Sequence, residues 1–194
     1  MSNGGIEFQP LTLETWPDLV KLFEGHGNPG YCWCTYWRLS STQYSQSSSL
    51  ERKKALNQIV AEGTPTGLLG YRDGEVIGWC SIAPRASHAR LNRSRSIPQL
   101  EGGNVWSIVC FYLDRRVQNQ GLSYKFLRAA VEHAAAQGAD AVEGYPVEPE
   151  YDENGNWNPA TSYHFMGYRS TFERAGFRDV TPDGSGRTIM RIEF

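Results

Sequence analysis

The chain of 194 residues is long enough for one well-buried domain, and we expect residues 1–194 to form a single domain. Its composition, 40% hydrophobic and 21% charged, is that of an ordinary globular protein. The 19 basic and 21 acidic residues nearly cancel, so the charge gives no reason to expect a nucleic-acid or membrane partner. No apolar run approaches the roughly 20 residues that span a bilayer, and the first residues lack the pattern of a signal peptide. We therefore expect a cytoplasmic protein with reduced thiols.

The first half of the chain alternates predicted strands with amphipathic helices. Ser48 and Glu51 have the spacing of a capping box at the start of a helix, and Asp73-Gly74 is typical of the turn of a β-hairpin. The predicted elements are a strand at Ile6–Pro10, helices at Leu13–Glu24 and Leu50–Ala61, and hairpin strands at Gly67–Arg72 and Val76–Ala83.

The second half predicts a long apolar strand, a long helix and then further strands and a helix. The elements are strand Val105–Leu113, helix Leu122–Gln137, strand Ala141–Pro146, helix Ser162–Ala175 and strand Arg187–Phe194. Gly138 and Gly176 are expected to end their helices, because glycine readily adopts the left-handed conformation found there. The whole pattern predicts an α/β (α+β) fold with a mixed sheet that helices cover on both faces.

Two polar loops separate these elements. The basic loop from Arg85 to Arg95 has no interleaved aromatic residues, so we expect a solvated loop rather than a nucleic-acid site. The loop Glu148–Pro159 does not match a calcium-binding loop, because its glycine is misplaced and no glutamate closes it. A solvated loop is favoured there over a lid.

The segment CWCTYWR, residues 32–38, concentrates cysteine and aromatic residues. A metal site built from Cys32, Cys34, His26 and Cys80 lacks the second cysteine pair of a structural zinc site. A redox site lacks the Cys-x-x-Cys spacing. We therefore expect reduced, packed thiols and no metal.

A glycine-containing turn, Gln118-x-x-Gly121-x-Ser123, joins the long apolar strand to the long helix. Backbone N–H groups at a helix N-terminus suit a pyrophosphate, and Gly121 allows the backbone to approach it closely. The turn matches neither the P-loop nor the dinucleotide-binding glycine pattern. By itself it fits either a phosphate site or an ordinary strand-to-helix connection.

These residues resemble the signature of the GNAT superfamily, the acyl-CoA-dependent N-acyltransferases, in which Gln/Arg-x-x-Gly-x-Gly/Ala follows a long strand. The segment FERAGF, residues 172–177, is similar to a second pattern of that family, usually Tyr-Glu-Lys-x-Gly-Phe. The order of elements matches from Ile6 to Phe194. The resemblance implies a GNAT-like central sheet of about six to seven strands and direct transfer of an acetyl group from acetyl-CoA to a primary amine in a ternary complex. Homodimers are common in the family, so a homodimer is also expected as an option here.

The resemblance also implies a binding site for acetyl-CoA. The pantetheine arm would pair with the central strand at Phe111, Tyr112 and Leu113, and a strand N–H would hold the thioester oxygen. The pyrophosphate would lie on the N–H groups of the turn, which consists of Gln118, Asn119, Gln120, Gly121, Leu122 and Ser123.

The usual catalytic residues of the family are absent from the matching positions of this sequence. Ser107 stands where some members have a glutamate, and Phe172 stands where many have a tyrosine. The candidate catalytic residues are therefore Glu143, Tyr168 and Ser107. Glu143 is either a base or a buried ion-pair partner, and Tyr168 is either an acid or a core aromatic residue. The absence of both usual catalysts raises an alternative, a non-catalytic sensor that binds acyl-CoA.

The resemblance places the segment 32–38 on the acceptor side of the cleft. An extended segment would turn Cys32, Cys34 and Tyr36 to one side and Trp33, Thr35 and Trp37 to the other. The candidate acceptor-binding residues are Trp33, Tyr36, Trp37 and Arg38, and the Arg38 fork would bind an acceptor carboxylate. A plain core plug is the alternative.

Overall fold

Seven strands form one mixed β-sheet in the computed structural model, which describes residues 5–25, 30–118, 120–149, 153–154 and 163–194. The strands are β1 (Glu7–Pro10), β2 (Leu68–Arg72), β3 (Glu75–Pro84), β4 (Val105–Leu113), β5 (Ala141–Gly144), β6 (Arg178–Asp179) and β7 (Met190–Glu193). Their order across the sheet is β1-β2-β3-β4-β5-β7-β6. Neighbouring strands are antiparallel except β4 and β5, which run parallel.

Six α-helices flank the sheet within the described ranges. They are α1 (Trp16–Glu24), α2 (Ser41–Gln46), α3 (Ser49–Ala61), α4 (Ala89–Asn92), α5 (Leu122–Ala136) and α6 (Arg169–Arg174). Helix α5 joins β4 to β5, as the crossover between two parallel strands requires. The predicted α/β fold, a mixed sheet of six to seven strands with helices on both faces, is confirmed. Every helix in the described ranges is too short or too polar to traverse a bilayer.

Two local signals in the sequence form the structures that they predict. The Ser48 hydroxyl accepts from the Glu51 N–H, and Glu51 Oε2 accepts from the Ser48 N–H at 2.7 Å, which completes the capping box of α3. Asp73 and Gly74 both have left-handed φ angles, 51° and 77°, as a tight two-residue hairpin turn requires.

Apolar side chains fill both faces of the sheet. On one face α5 and α6 pack through Phe126 and Phe172. On the other face α1 and α3 pack through Phe23 and Leu56 against Trp79 of β3. Each such buried side chain contributes about 1.5–3 kcal/mol relative to an exposed one, so the two layers hold the sheet firmly.

Strand β4 contains a bulge near the centre of the sheet. The β3 partners of Ile108 and Cys110 are adjacent residues, so Val109 is an extra residue on β4. A bulge changes the face to which the following side chains point. After it, Cys110 packs in the α1/α3 layer and Phe111 packs in the α5/α6 layer.

Strands β4 and β5 diverge beyond this point. They pair only over Val105–Ile108 and Ala141–Gly144, although β4 continues to Leu113. The ring of Phe172 lies against Gly144, where an added Cβ would overlap Phe172 Cε1. The divergence opens a gap in the sheet on one side of β4.

The segment 31–39 is not extended, and the alternation predicted from an extended chain is wrong. It forms a series of turns, in which Trp33 and Cys34 have left-handed φ angles of 48° and 50°. Two consecutive non-glycine residues in this region cost roughly 1–2 kcal/mol each. The surrounding structure must therefore hold them there.

Two further predictions are corrected. The predicted helix Ser162–Ala175 begins outside the described residues, and its described part is divided at Gly167 (φ 86°) into a 3₁₀ turn, His164–Met166, and α6. The loop from Arg85 is not simply solvated, because Arg85 and His88 are 4% and 0% exposed. Helices α2 and α4 and strand β6 have no counterpart in the sequence prediction.

Replacing Gly144 by alanine tests the packing at the point of divergence. The added methyl group would overlap the Phe172 ring, and overpacking of this kind costs about 1–3 kcal/mol of unfolding free energy. Urea denaturation of Gly144→Ala measures the loss. The double variant Gly144→Ala/Phe172→Leu is expected to recover part of it; additive losses would contradict the direct contact.

Candidate active site

Strand β4 has an open edge where β5 leaves it. The Asp114 N–H donates to the Ile77 carbonyl of β3 at 2.9 Å, and the polar groups of successive residues alternate between the two sides of a strand. Phe111 and Leu113 therefore direct their N–H and C=O groups towards the gap. The Leu113 carbonyl accepts a hydrogen bond from Gln118 Nε2 at 3.1 Å. The edge thus offers the backbone of Phe111 to a ligand that enters the gap.

Two cavities adjoin this edge, and both are lined by Phe111. The first, called the cleft, has a volume of about 540 Å³ and is lined by Phe111, Leu113, Gln118, Ser123, Pro149, His164, Gly167, Tyr168, Ser170 and Thr171. The second, called the aromatic cavity, has a volume of about 320 Å³ and is lined by Tyr31, Cys32, Cys34, Tyr36, Trp37, Tyr44, Cys110, Phe111, Tyr112 and Phe165. Both volumes lie in the range of small-molecule sites.

The start of α5 forms one end of the cleft. Gly121 is the N-cap residue with a left-handed φ of 69°, and an added Cβ would meet no atom within 4 Å. The N–H groups of the first helical turn, which includes Ser123, have no carbonyl partner within the helix. Together with the helix dipole they favour an anion at this end.

The other residues of the predicted turn have distinct positions. Leu122 is buried beside Ile77 and Val117, so only its backbone could contact a ligand. Gln120 Oε1 accepts a hydrogen bond from Arg72 Nη1 at 3.0 Å. Asn119 lies outside the described residues.

The three central-strand residues divide between the cavities. Phe111 lines both, Leu113 lines the cleft, and Tyr112 lines the aromatic cavity. The Tyr112 ring lies 5.9 Å from the Phe23 ring in the α1/α3 layer. Its side chain is therefore on the opposite face of the sheet from the cleft.

Ser107 and Glu143 belong to a buried polar network and line neither cavity. Glu143 is 1% exposed, and its Oε2 accepts hydrogen bonds from Arg85 Nη1 (3.1 Å) and the Tyr145 hydroxyl (2.9 Å). Arg191 Nη1 lies 3.6 Å from the second carboxylate oxygen. The Tyr145 hydroxyl is 2.7 Å from Ser107 Oγ, and burial followed by the Glu143 charge raises the pKa of Tyr145. Of the two roles considered for Glu143, a base or a buried ion-pair partner, its position fits the ion-pair partner.

Tyr168 faces the cleft. It is the N-cap residue of α6, and its hydroxyl lies 3.1 Å from His164 Nδ1. Phe172, one turn later, is fully buried in the core. Of the three candidate catalytic residues, Tyr168 is the one that lines a cavity.

The predicted acceptor residues are only partly brought together. Tyr36 and Trp37 line the aromatic cavity, and the Tyr36 hydroxyl lies 2.9 Å from the Tyr163 hydroxyl. Trp33 is 2% exposed and stacks on Trp16 in the core, at a distance of 6.1 Å between ring centroids. Trp33 therefore supports the cavity wall from behind.

Arg38 is also buried behind the cavity. It is 5% exposed, and its Nη2 donates to the Thr66 carbonyl (2.8 Å) and to Ser81 Oγ (3.2 Å). Contrary to the expectation from the sequence, this position does not present the guanidinium fork to a carboxylate in the cavity.

Sequence reasoning missed six residues that line the aromatic cavity, which are Tyr31, Cys32, Cys34, Tyr44, Cys110 and Phe165. Tyr44 lies on the unpredicted helix α2, Phe165 lies in the 3₁₀ turn, and Cys110 reaches the cavity because of the bulge. The unusual density of aromatic residues around position 36 was the available signal.

Two guanidinium groups lie against rings of the aromatic cavity's lining. The Arg52 guanidinium lies 4.0 Å from the Tyr44 ring centroid, and the Arg90 guanidinium lies 4.1 Å from that of Tyr36. These distances are typical of cation–π contacts. None of the ten described lining residues carries a carboxylate.

No disulfide bond joins any of the four cysteines, all of which lie among the described residues. Three of the four, Cys32, Cys34 and Cys110, line the aromatic cavity. Within the described part of the chain, no group of three or more His, Cys, Asp or Glu side chains is arranged to hold a metal ion.

Replacing Glu143 by glutamine tests the role of the buried network. The change leaves the buried Arg85 without its counter-charge, so the unfolding free energy should fall by about 3 kcal/mol. The control is Glu132→Gln, which breaks the exposed pair with Arg128 (3.2 Å) and should cost at most about 0.5 kcal/mol. Equal stability of the two variants in urea would contradict the assignment.

Comparisons with known proteins agree with this architecture. The model of the acetyltransferase (GNAT) family matches residues 33–153. The PaiA N-acetyltransferase from Thermoplasma acidophilum, solved in complex with coenzyme A, is 18% identical, with a TM-score of 0.53 over 98% of this chain and 99% of that chain. An acetyltransferase of the GNAT family from Streptococcus agalactiae is 9% identical, with a TM-score of 0.57 over 98% and 96% of the two chains.

A third similar structure is the GNAT family N-acetyltransferase YhbS from Escherichia coli, in complex with CoA. It is 14% identical, with a TM-score of 0.51 over 97% of this chain and 81% of that chain. No curated protein sequence matches the chain. Because the family match covers more than half of its residues, this protein belongs to the GNAT acetyltransferase family.

Proposed function

We propose that this protein transfers an acetyl group from acetyl-CoA to the nitrogen of a primary amine, directly and within a ternary complex. The observation that carries the proposal is the open edge of β4 at Phe111, which the two cavities reach from opposite faces of the sheet. Such an arrangement can hold a donor and an acceptor in contact, and positioning of this kind supplies much of the rate of a bimolecular reaction.

The residues of the cleft fit acetyl-CoA. The backbone groups of Phe111 and Leu113 would hold the pantetheine amides, and the N–H groups of residues 120–123 would hold the pyrophosphate. When bound, acetyl-CoA supplies an activated acyl thioester. The Phe111 N–H would stabilise the oxygen on which negative charge develops. The coenzyme A in the similar structures from T. acidophilum and E. coli supports this assignment.

The aromatic cavity would hold the acceptor. Its described lining has no carboxylate to attract a polycation, and the Arg52 and Arg90 guanidinium groups lie against its Tyr44 and Tyr36 rings. We therefore propose an acceptor whose amine is carried on an apolar, preferably aromatic, group. Burial of that group against the lining rings would supply most of the binding energy.

Tyr168 would act as the acid that protonates the departing thiolate. Its hydroxyl lies in the cleft with Phe111, and His164 can replace the donated proton. The Tyr168 O–H can donate its proton to the thiolate as the C–S bond breaks.

A second candidate function is an acyl-CoA sensor that transfers nothing. One observation favours it: neither Ser107 nor Glu143 lines either cavity, because both belong to the buried network. Turnover with any amine excludes the sensor, whereas binding of acetyl-CoA without turnover would support it.

A thiol-release screen with acetyl-CoA tests the proposed function. Phenethylamine should be acetylated with a kcat/KM at least about tenfold above that of spermidine or a lysine peptide, which corresponds to about 1.4 kcal/mol. N,N-dimethylphenethylamine, which binds similarly but cannot form the amide, is the control. Mass spectrometry of the product identifies the acetylated atom. A preference for spermidine would overturn the proposed acceptor class.

Replacing Tyr168 by phenylalanine tests the acid. Loss of a general acid should lower kcat by about 10- to 100-fold, with the Kd for acetyl-CoA little changed. Tyr124→Phe is the matched control, because Tyr124 contacts Arg174 outside both cavities. An unchanged kcat in Tyr168→Phe would remove Tyr168 from the mechanism.

A further inference from the structure

The proposed reaction needs a group that removes a proton from the amine. A primary amine with a pKa of about 10.4 is almost wholly protonated at neutral pH. Ser107 and Glu143 lie in the buried network, and Phe172 has no acidic group. The candidates for the base are therefore the described residues that line the aromatic cavity, where the acceptor is proposed to bind.

Cys34 is placed in that cavity by two unusual backbone features. Its own left-handed conformation (φ 50°) follows a second left-handed residue, Trp33. The bulge in β4 turns Cys110 towards the same cavity, where its Sγ donates to the Phe111 carbonyl at 3.8 Å. Cys34 and Cys110 therefore line the cavity together with Phe111, at the open edge of β4.

A buried cation lies beside Cys34 without a carboxylate partner. Among the described residues no carboxylate pairs with the Arg38 guanidinium, whose charge interacts instead with Cys34 and Cys110. Two of its nitrogens, Nε and Nη1, have no hydrogen-bond partner within the described ranges, and neither has the indole N–H of Trp79, which is 0% exposed. A buried charge is costly unless an opposite charge accompanies it. A thiolate at Cys34 is the counter-ion that this environment favours.

The pKa values of the neighbouring thiols agree with this geometry. The nearby thiol of Cys110, then the Trp79 indole and the Arg38 charge, outweigh burial and lower the pKa of Cys34 to about 6. Burial and then the charge of Cys34 raise the pKa of Cys32 to about 11. The remaining thiols keep their protons: the pKa of Cys110 is raised, first by the nearby sulfur of Cys34, and the pKa of Cys80 on β3 is raised, first by burial.

We propose that Cys34 is the general base that takes the proton from the acceptor amine. The lone pair of the neutral amine forms the bond to the acyl carbon, the C–S bond of the thioester breaks, and the CoA thiolate takes a proton from Tyr168. One N–H bond of the attacking nitrogen breaks, and its proton forms the S–H bond of Cys34. The nitrogen becomes strongly acidic as the new bond forms, so a weakly basic thiolate suffices. The proton then leaves to solvent through the mouth of the aromatic cavity. The inference rests on the proposed function, because it requires an amine acceptor.

The charge state of Cys34 is measured without any acceptor. The ultraviolet absorbance of the thiolate is titrated in the wild-type protein and in Cys34→Ala, and the difference between the curves belongs to Cys34. The expected midpoint lies near pH 6. A midpoint at the ordinary thiol value of about 8.5 would overturn the proposal.

The catalytic role is measured with the amine that the thiol-release screen identifies. In the wild-type protein kcat/KM should fall as the pH drops through about 6, because protonation of Cys34 removes the base. Above that pH it should follow the fraction of neutral amine, so that kcat/KM divided by that fraction stays level. In Cys34→Ser the same ratio should show no change near pH 6. Near pH 7 it should be at least about 100-fold below wild type.

Controls separate this result from other causes. Cys80→Ala removes a buried thiol that lines neither cavity, and it should keep the wild-type rate and pH profile. Urea denaturation checks that Cys34→Ser is folded. A folded Cys34→Ser with the wild-type rate and profile would overturn the proposal. So would exchange of labelled CoA into acetyl-CoA without an amine, because that reaction identifies Cys34 as a nucleophile. Failure of the wild-type protein with every amine would instead overturn the proposed function.

Discussion

The divergence of β5 from β4, together with the bulge at Val109, is the constraint on which the site depends. Four residue pairs hold the two parallel strands together, and the rest of β4 is left with one unpaired edge. Buried backbone polar groups need partners, so such an edge in the middle of a sheet is costly unless something binds there. The bulge also changes the face of the sheet to which the following side chains point. As a result, Cys110 packs in the α1/α3 layer and Phe111 packs in the α5/α6 layer. One strand thereby contributes to both cavities.

Two buried arginines illustrate different uses of charge in the same molecule. Arg85 is neutralised by Glu143 and is further bonded to Tyr145 and the Ile97 carbonyl, which fixes the strands behind the site. Arg38 has a carbonyl and a hydroxyl as partners but no carboxylate among the described residues. The charges of a buried ion pair largely cancel each other. A buried cation without a carboxylate partner instead exerts an electric field on the neighbouring groups. The first arrangement is structural, and the second polarises the cavity wall.

Much of the fold could be predicted from the sequence, because its signals are local. The capping box at Ser48, the turn at Asp73-Gly74 and the apolar strand Val105–Leu113 each depend on neighbouring residues. The site could be predicted less well from the sequence. A bulge leaves no mark in a continuously apolar strand, and nothing in the alternation of residues 32–38 announces two left-handed residues. The partner of Glu143 is 58 positions away in the chain, so its buried ion pair could be named only as one of two interpretations.

The open edge of β4 also affects how ligands enter and leave the protein. The cleft and the aromatic cavity lie on opposite faces of the sheet, and Phe111 is the residue common to their linings. Two ligands held there would meet at the gap between β4 and β5, and each would enter and leave through its own cavity. A product could then leave the aromatic cavity while CoA still occupies the cleft. An inhibitor that covalently joined donor and acceptor would have to span the gap between β4 and β5 to occupy both cavities.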